Sequence, residues 1–175
     1  LYTADVTRTL PVGGTFSPAQ RRVYEAVLAA QEAGMAACRA GLPFAGVHQA
    51  AITVVAEFLA ELGILPVPVE ESLSPEGGQH RRWMVHGTSH HLGLDVHDCA
   101  HARTEDYRGG NLKAGMCITV EPGIYFKSTD LLVPEELRGI GVRIEDDIAI
   151  TPDAPLPQVA QPAIQGGRHV ARQIG

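Results

Sequence analysis

The stretch His86-Gly-Thr-Ser-His-His-Leu-Gly-Leu-Asp-Val-His-Asp98 decides how the rest of the chain is interpreted. It places four histidines and two aspartates among small and apolar residues. One histidine in a packed turn is usually a hydrogen-bonded structural residue, whereas four in so short an apolar segment favour a metal site or an acid/base site. The other parts of the chain matter for the partners that they bring to these histidines.

The spacing of His86 and His90 is that of a helical zinc pair. The intervening residues 87–89 are Gly, Thr and Ser, which form helices poorly, and no glutamate follows the first histidine. A loop leading into a strand is the better prediction, with these alternate residues facing inward: Leu92, Leu94 and Val96. The spacing alone leaves open which histidine binds a ligand.

The composition predicts one globular domain whose partners are small solutes or other proteins. The chain has 175 residues, of which 45% are hydrophobic and 19% charged, enough for one sizeable core. Its net charge of −6 comes without a basic run, which argues against nucleic-acid binding and against a polybasic membrane patch. No apolar run reaches the about 20 residues of a membrane span, and we expect no signal peptide. Cys38, Cys99 and Cys117 lie far apart without a CxxC pair, so a reducing, cytoplasmic setting is predicted.

The first half of the chain predicts a strand and two helices. Residues 1–12 alternate β-branched and polar types and are predicted to form a strand or hairpin arm. A long amphipathic helix is predicted from the N-cap Ser17 to Gly41, and a second from about residue 47 to residue 62. Residues 64–80 are rich in Pro, Glu, Ser and Gly and indicate a loop or short excursion.

The second half predicts three strands and a tail. Strands are expected at 115–121, 124–126 and 142–150. In the last of these, three charged residues share one face, which usually indicates exposure to solvent: Arg143, Glu145 and Asp147. Residues 152–175 are rich in Pro, Gln, Ala and Gly without periodicity, and we treat them as a tail.

Glu121 is out of place in its predicted strand. It ends an otherwise apolar run and is followed directly by Pro122 and Gly123. Burying a carboxylate costs several kcal/mol unless a cation or hydrogen-bond donors compensate. If Asp5, His90, Glu121 and Glu145 converge, three carboxylates and one imidazole would suit Mn²⁺, Co²⁺, Fe²⁺ or Zn²⁺ better than a thiophilic ion.

Four motifs then carry a family resemblance. In order along the chain they are Thr3-Ala-Asp-Val-Thr-Arg-Thr9, His86-Gly-Thr-Ser-His90 with Leu94-Asp-Val-His-Asp98, Thr119-Val-Glu-Pro-Gly123, and Gly141-Val-Arg-Ile-Glu-Asp-Asp147. Together they resemble the Xaa-Pro aminopeptidase and prolidase branch of the pita-bread metallopeptidases. The resemblance covers residues 1–151. It implies an α+β class: a curved, mostly antiparallel sheet backed by helices, as an incomplete pita-bread (creatinase/aminopeptidase-like) fold.

The resemblance also implies a ligand set for two divalent metal ions, with Mn²⁺ preferred over Co²⁺, Zn²⁺ or Fe²⁺. Asp5 and Glu145 match the bridging aspartate and glutamate of the family, His90 the histidine ligand, and Glu121 the first glutamate. The family's remaining aspartate ligand would precede residue 1, so this chain is expected to be a C-terminal part of a longer catalytic domain with little or no activity alone.

Further roles follow from the same resemblance. Glu121 would act as the proton shuttle of a metal-assisted hydrolysis, and Arg143 would hold a carboxylate by a bidentate pair. His86 and His97 would contact the substrate or donate to the transition state. Three further carboxylates are expected to support the site rather than to bind the metal: Asp95, Asp98 and Asp147.

The implied activity is hydrolysis of the N-terminal Xaa-Pro bond in peptides with proline at the second position, and a homo-oligomer of the longer parent is compatible with it. Four alternatives are open. They are an Xaa-Pro dipeptidase (prolidase), a methionine aminopeptidase, a creatinase-like enzyme that uses the fold without metal, and a non-catalytic peptide-binding module. The last two generally lack the carboxylate ligands, and the Arg-Ile-Glu-Asp-Asp form of the last motif favours the proline-directed branch. Prolidase is therefore the nearest rival.

Overall fold

The computed structural model describes residues 4–99, 101–152 and the backbone of residues 156–157. Within them, two long helices precede most of a small antiparallel sheet. The helices are α1 (Pro18–Ala37), α2 (Phe44–Glu61) and the short α3 (Val69–Ser72), with short 3₁₀ helices at Gln79–Arg82, Thr104–Asp106 and Glu135–Leu137. The strands are β1 (Thr7–Arg8), β2 (Cys117–Val120), β3 (Gly123–Tyr125), β4 (Gly141–Ala149) and β5 (Leu156–Pro157).

Both long helices confirm what the periodicity predicts. The Ser17 hydroxyl accepts the N–H of Gln20, and the Gln20 side chain accepts the N–H of Ser17, so a reciprocal cap fixes the start of α1. α2 begins at Phe44, three residues earlier than predicted, directly after Pro43. Gly63 follows its end with a φ of 71°, a left-handed conformation that suits glycine.

β4 is the central strand of the sheet. It pairs antiparallel with every other strand, and its register places Thr7 opposite Glu145 and Val120 opposite Asp146. β1 and the end of β2 therefore meet the same few residues of β4. The predicted α+β class, an antiparallel sheet with helices, is confirmed.

Two apolar clusters hold the helices against the sheet. The first joins α1 and α2 to β3 and the start of β4, around Trp83 and Ile124. The second joins the start of α2 to β2 and the end of β4, around Val47 and Ile118. Gly34 lets α1 approach β2 closely, because a Cβ at this position would lie 2.9 Å from Cγ1 of Val120. This packing fixes β2 and β4, whose residues build the site described below.

The structure refines two local predictions and corrects a third. Residues 64–80, predicted as a loop or short excursion, contain α3 and the start of a 3₁₀ helix. The segment after His90 is irregular: Leu94 is 57% exposed and Val96 36%, so the prediction that they face inward is wrong. Of residues 1–12, the structure describes 4–12, and two of these form strand pairs with β4.

The exposure of the charged face of β4 is the most important correction. Glu145 is 1% and Asp147 3% exposed, so the predicted solvent face is buried. The β1 segment covers it: the Thr7 hydroxyl donates to Glu145 at 2.6 Å, and the N–H of Asp5 donates to Asp147 at 3.1 Å. A face that is polar by sequence has thus become the lining of an internal site.

Two further predictions concern the C-terminal tail and membrane-spanning helices. Of the predicted tail, residues 156–157 add a short strand beside β4, and residues 153–155 and 158–175 lie outside the described residues. In the described part of the chain, every helix is too short or too polar to cross a membrane.

Candidate metal centre

Four side chains predicted as metal ligands meet beside β4. Asp5 comes from the segment before β1, His90 from the irregular histidine-rich segment, Glu121 from the end of β2 and Glu145 from β4. Nε2 of His90 lies 3.4 Å from Oδ2 of Asp5 and 3.3 Å from Oε1 of Glu121. Ligand atoms of His90, Glu121 and Glu145 all lie within 4.8 Å of one another, as do those of Asp5, His90 and His97.

The tautomer of His90 follows from its hydrogen bonds. Nδ1 lies 3.0 Å from the His91 carbonyl, which has no proton to give, so Nδ1 carries the proton and donates. In the neutral ring, Nε2 then presents a lone pair toward the two carboxylates. Nε2 is buried and has no hydrogen-bond partner among the described residues. Metal-binding histidines have this arrangement, with one ring nitrogen held by a carbonyl and the other free for the ion.

Glu121 is fixed by its backbone and its neighbour. Its N–H donates to the Thr88 carbonyl at 2.8 Å, which ties the end of β2 to the histidine-rich segment. The Thr119 hydroxyl accepts the N–H of His90 at 3.2 Å and lies 3.4 Å from Oε1 of Glu121. The two predicted ligands are therefore aligned through one threonine.

Glu145 and Asp147 are the deeply buried acids of the site. Burial is the main reason that the pKa of Glu145 lies above its usual range, and the charges of Glu121 and Asp5 raise this pKa further. The hydrogen bond from Thr7 and the charge of Arg143 oppose that rise. Burial also raises the pKa of Asp147, and the hydrogen bond from the Asp5 N–H opposes it. Oδ1 of Asp147 has no hydrogen-bond partner among the described residues.

These features fit a divalent cation. Carboxylates crowd together, and two of them have raised pKa values. Nε2 of His90 and a carboxylate oxygen of Asp147 are buried without hydrogen-bond partners among the described residues. A cation would remove the repulsion and occupy those atoms. Carboxylate oxygens with one imidazole suit Mn²⁺, Co²⁺, Fe²⁺ or Zn²⁺.

His97, predicted to contact the substrate, and Arg143, predicted to hold a carboxylate, both lie beside the ligand group. The ring of His97 is exposed and lies 4.3 Å, centroid to centroid, from that of His90. Arg143 has Nη1 4.0 Å from Glu121 and Nε 3.6 Å from Glu145. The predicted bidentate pair is not formed, because Nη2 donates instead to the Thr7 hydroxyl at 3.3 Å.

His86 lies outside the ligand group and connects to it through Tyr125. Its Nε2 is 2.6 Å from the Tyr125 hydroxyl, and the positive charge of Arg143 lies near enough to Tyr125 to lower the pKa of that hydroxyl in part. Burial raises the pKa of Tyr125, so this hydroxyl stays protonated at neutral pH. His86 therefore acts on the ligand group through two intervening side chains.

Sequence reasoning missed three residues of the site, Thr7, Thr119 and Tyr125. Thr7 follows Asp5 by two residues and Thr119 precedes Glu121 by two, which places each threonine near its acid in an extended chain. That alternation could have identified them. Asp98 accepts the N–H groups of Leu94 and Cys99, which lower its pKa, and its predicted supporting role at the site stays a prediction.

Comparisons with known proteins agree with this geometry. The model of metallopeptidase family M24 matches residues 1–152. Xaa-Pro aminopeptidase 1 of Streptomyces coelicolor is 59% identical over 152 residues, which are 87% of this chain and 30% of that protein. The chain thus spans less than a third of the length of this relative.

Two solved structures show the fold. Aminopeptidase PepP of Pseudomonas aeruginosa superposes with a TM-score of 0.82 at 38% identity, over 89% of this chain and 35% of that one. Zinc-substituted aminopeptidase P of Escherichia coli, in complex with product, gives 0.81 at 41% identity, over 91% and 35%. These likenesses confirm the predicted incomplete pita-bread fold.

Proposed function

We propose, since the chain belongs to metallopeptidase family M24, that it carries part of the active site of an Xaa-Pro aminopeptidase, a hydrolase acting on peptides with proline at the second position. The buried lone pair of His90 between Asp5 and Glu121 is the observation that carries the proposal. The 59% identity to a Streptomyces Xaa-Pro aminopeptidase supports the choice of substrate.

The proposed metal ligands are Asp5, His90, Glu121 and Glu145, completed by an aspartate upstream of residue 1 in the longer parent. They would hold two divalent ions, with Mn²⁺ as the first choice and Co²⁺, Zn²⁺ and Fe²⁺ as alternatives. When bound, such ions supply a nucleophilic water at neutral pH and polarise the scissile carbonyl.

The chain's own residues would handle the protons and the developing charge. Glu121 has one oxygen near His90 and the other 4.0 Å from Arg143, so it can take a proton from the attacking water and pass it to the leaving amine. His97 lies beside the ligand histidine and is exposed, which suits a donor to the substrate oxyanion. His86, through Tyr125, would orient Arg143.

Replacement of the proton carrier tests the proposal. In the full-length parent loaded with Mn²⁺, Glu121→Gln is expected to lower kcat/KM on an Xaa-Pro-Xaa tripeptide by at least about 10²-fold, the lower end of general acid–base contributions. Glu32→Gln, at an exposed position on α1, is the matched control and should retain activity. Wild-type turnover by Glu121→Gln would rule out this role of the carboxylate.

Two further assays define the extent of the activity. The 175-residue chain alone is expected to show little or no turnover, because the proposed ligand set is incomplete in it. A parent that hydrolyses Xaa-Pro dipeptides and spares tripeptides would be a prolidase instead. A cytoplasmic location and an oligomeric parent stay predictions, to be checked by cell fractionation and by mass in solution.

A further inference from the structure

A cavity of ≈400 Å³ lies at the start of the histidine-rich segment, where His86 and Gly87 form part of its lining. His48 from α2, Arg81 from the first 3₁₀ helix and His86 line it, together with the apolar side chains of Ile52, Met84 and Val85. Its volume is within the range of small-ligand sites. Among the described residues, its lining contains no carboxylate, although the whole chain has a net charge of −6.

Arg81 supplies a cation that the described residues leave without a counter-ion. Its side chain is exposed, and no carboxylate among residues 4–99 and 101–152 lies within 4.0 Å of the guanidinium. The neighbouring Arg82 differs, because it is paired with Asp130 at 2.8 Å. Arg81 can therefore accept an anion without first breaking an internal ion pair.

His48 supplies a neutral donor beside it. Nδ1 lies 2.7 Å from the hydroxyl of Thr88, a residue with 0% exposure and no other side-chain partner among the described residues. If Nδ1 carried the proton, the buried hydroxyl hydrogen would have no acceptor, so the hydroxyl donates to Nδ1. The proton of the neutral ring then sits on Nε2, which has no protein partner in the described part of the chain and is open to solvent.

The electrostatics of His48 agree with an anion-seeking cavity. Burial first, then the charges of His80, Arg81 and His86, lower its pKa. Of these neighbours, Arg81 is the one that keeps its positive charge at neutral pH, so it gives the cavity a positive potential. An arriving anion would be attracted by that charge.

The cavity and the candidate metal centre share a wall. Thr88 holds His48 with its hydroxyl and Glu121 with its carbonyl. His86, which lines the cavity, reaches Arg143 through Tyr125. A ligand seated in the cavity would therefore lie next to a peptide bound at the candidate centre.

From this arrangement we infer that the cavity is a binding site for a carboxylate attached to an apolar body. The carboxylate is held by the Arg81 guanidinium and Nε2–H of His48, while Ile52, Met84 and Val85 contact the apolar part. In a peptide, the carboxylate is either the C-terminus of a short chain or an acidic side chain. Its placement at the leaving end of a substrate rests on the proposed function, but the binding itself does not.

Histidine-ring NMR of the 175-residue chain without added metal tests the binding. N-acetyl-leucine should shift the ring signal of His48 in a saturable way, and N-acetyl-leucine amide should bind at least about tenfold more weakly, because it lacks the charge-assisted hydrogen bonds. The α-amide of N-acetyl-glutamate carries its carboxylate on the side chain. Binding of this probe as tight as that of N-acetyl-leucine would assign the site to acidic side chains, and weaker binding would assign it to chain termini.

Variants connect the signal to the cavity. Arg81→Gln should weaken N-acetyl-leucine binding about tenfold and abolish the preference for the acid over the amide. His48→Gln, followed through the ring signal of His86 in the same cavity lining, should weaken it less, since glutamine keeps a donor. Arg39→Gln, which removes an exposed arginine outside the cavity lining, is the matched control. Equal binding of acid and amide by the wild type, or unchanged binding in Arg81→Gln, would overturn the inference.

Kinetics of the metal-loaded parent test the placement. Xaa-Pro-Leu as a free acid should have a KM about tenfold lower than its amide, and Arg81→Gln should abolish that difference while kcat stays unchanged. If the parent hydrolysed neither peptide, the proposed function would fail while the NMR result stood. If it hydrolysed both with the same KM, the placement at the leaving end would be wrong.

Discussion

Two groups of buried acids in this chain differ in how their charge is compensated. Asp130 is 7% exposed and accepts hydrogen bonds from Nε and Nη2 of Arg82 at 2.8 and 2.9 Å, from the Trp83 indole at 3.1 Å and from the Leu132 N–H at 3.1 Å. These donors, Arg82 foremost, hold its pKa at about 2. In the acids of the candidate metal centre, burial prevails and raises the pKa of Glu145 and Asp147.

Asp130 belongs to a complete ion pair with Arg82, whereas the acids of the candidate metal centre lack enough neighbouring positive charge. Both oxygens of Asp130 are occupied by protein donors, so nothing further is needed there. In the metal centre, Oδ1 of Asp147 and Nε2 of His90 are buried without partners among the described residues. Burial alone does not distinguish the two groups. The number of donors for each buried acid does.

The largest expected effect is stabilisation of the centre by metal. Mn²⁺ at 100 times its dissociation constant should raise the free energy of unfolding of the 175-residue chain by about 2.7 kcal/mol. The change should be measured by urea denaturation with and without Mn²⁺. In His90→Gln the increment should fall, because the proposed imidazole ligand is gone.

Asp130→Asn is the control for that increment. It removes a buried carboxylate whose charge the protein already compensates, so the Mn²⁺ increment should equal that of the wild type. An increment that also disappears in Asp130→Asn, or one that survives in His90→Gln, would contradict the distinction between the two groups of acids.

The next effect concerns stability without metal. Asp130→Asn should lower the free energy of unfolding at pH 7 by about 2 kcal/mol, within the range for hydrogen bonds to charged groups, since Arg82 and Trp83 lose an ionised acceptor. Because Arg82 is half-exposed and water can solvate it, a larger loss is not expected.

The pH dependence of stability tests whether ionised Asp130 stabilises the fold. The folded-state pKa of Asp130 is about 2, below its ordinary value of 3.8, so its contribution is complete above about pH 4 and is lost as the pH falls toward 2. Urea denaturation between pH 5 and pH 2 should show a shallower decline for Asp130→Asn than for the wild type. Parallel declines would show that Asp130 is not the titrating group.

The sequence predicted local structure well, because helices and strands follow from short-range patterns. Helical spacing located α1 and α2, and an acid at the end of an apolar strand made Glu121 a candidate ligand. The exposure of Glu145 was wrongly predicted, since it depends on a β1 segment more than 130 positions away in the chain, as the separation of 138 residues between Thr7 and Glu145 shows.

The role of Asp130 was also not predictable from the sequence, because its partners are distant along the chain. By sequence it is one acid in a charged loop, and its partners Arg82 and Trp83 lie 48 and 47 residues away. Likewise, spacing left four histidines equivalent, and the His91 carbonyl on Nδ1 distinguishes His90 as the one whose Nε2 faces the acids. Long-range pairing, rather than residue type, decides which buried acid is structural and which is functional.

The smallest expected effect has the opposite sign to that of Asp130→Asn. Burial and the neighbouring acids raise the folded-state pKa of Glu145, so its ionised form at pH 7 opposes folding in the absence of metal. Glu145→Gln should therefore leave the metal-free free energy of unfolding unchanged or raise it slightly, because the amide still accepts from Thr7. The same variant should lose much of the Mn²⁺ increment. Urea denaturation of both variants in one buffer, with and without Mn²⁺, makes the comparison, and a metal-free loss in Glu145→Gln as large as that in Asp130→Asn would show that both acids are structural.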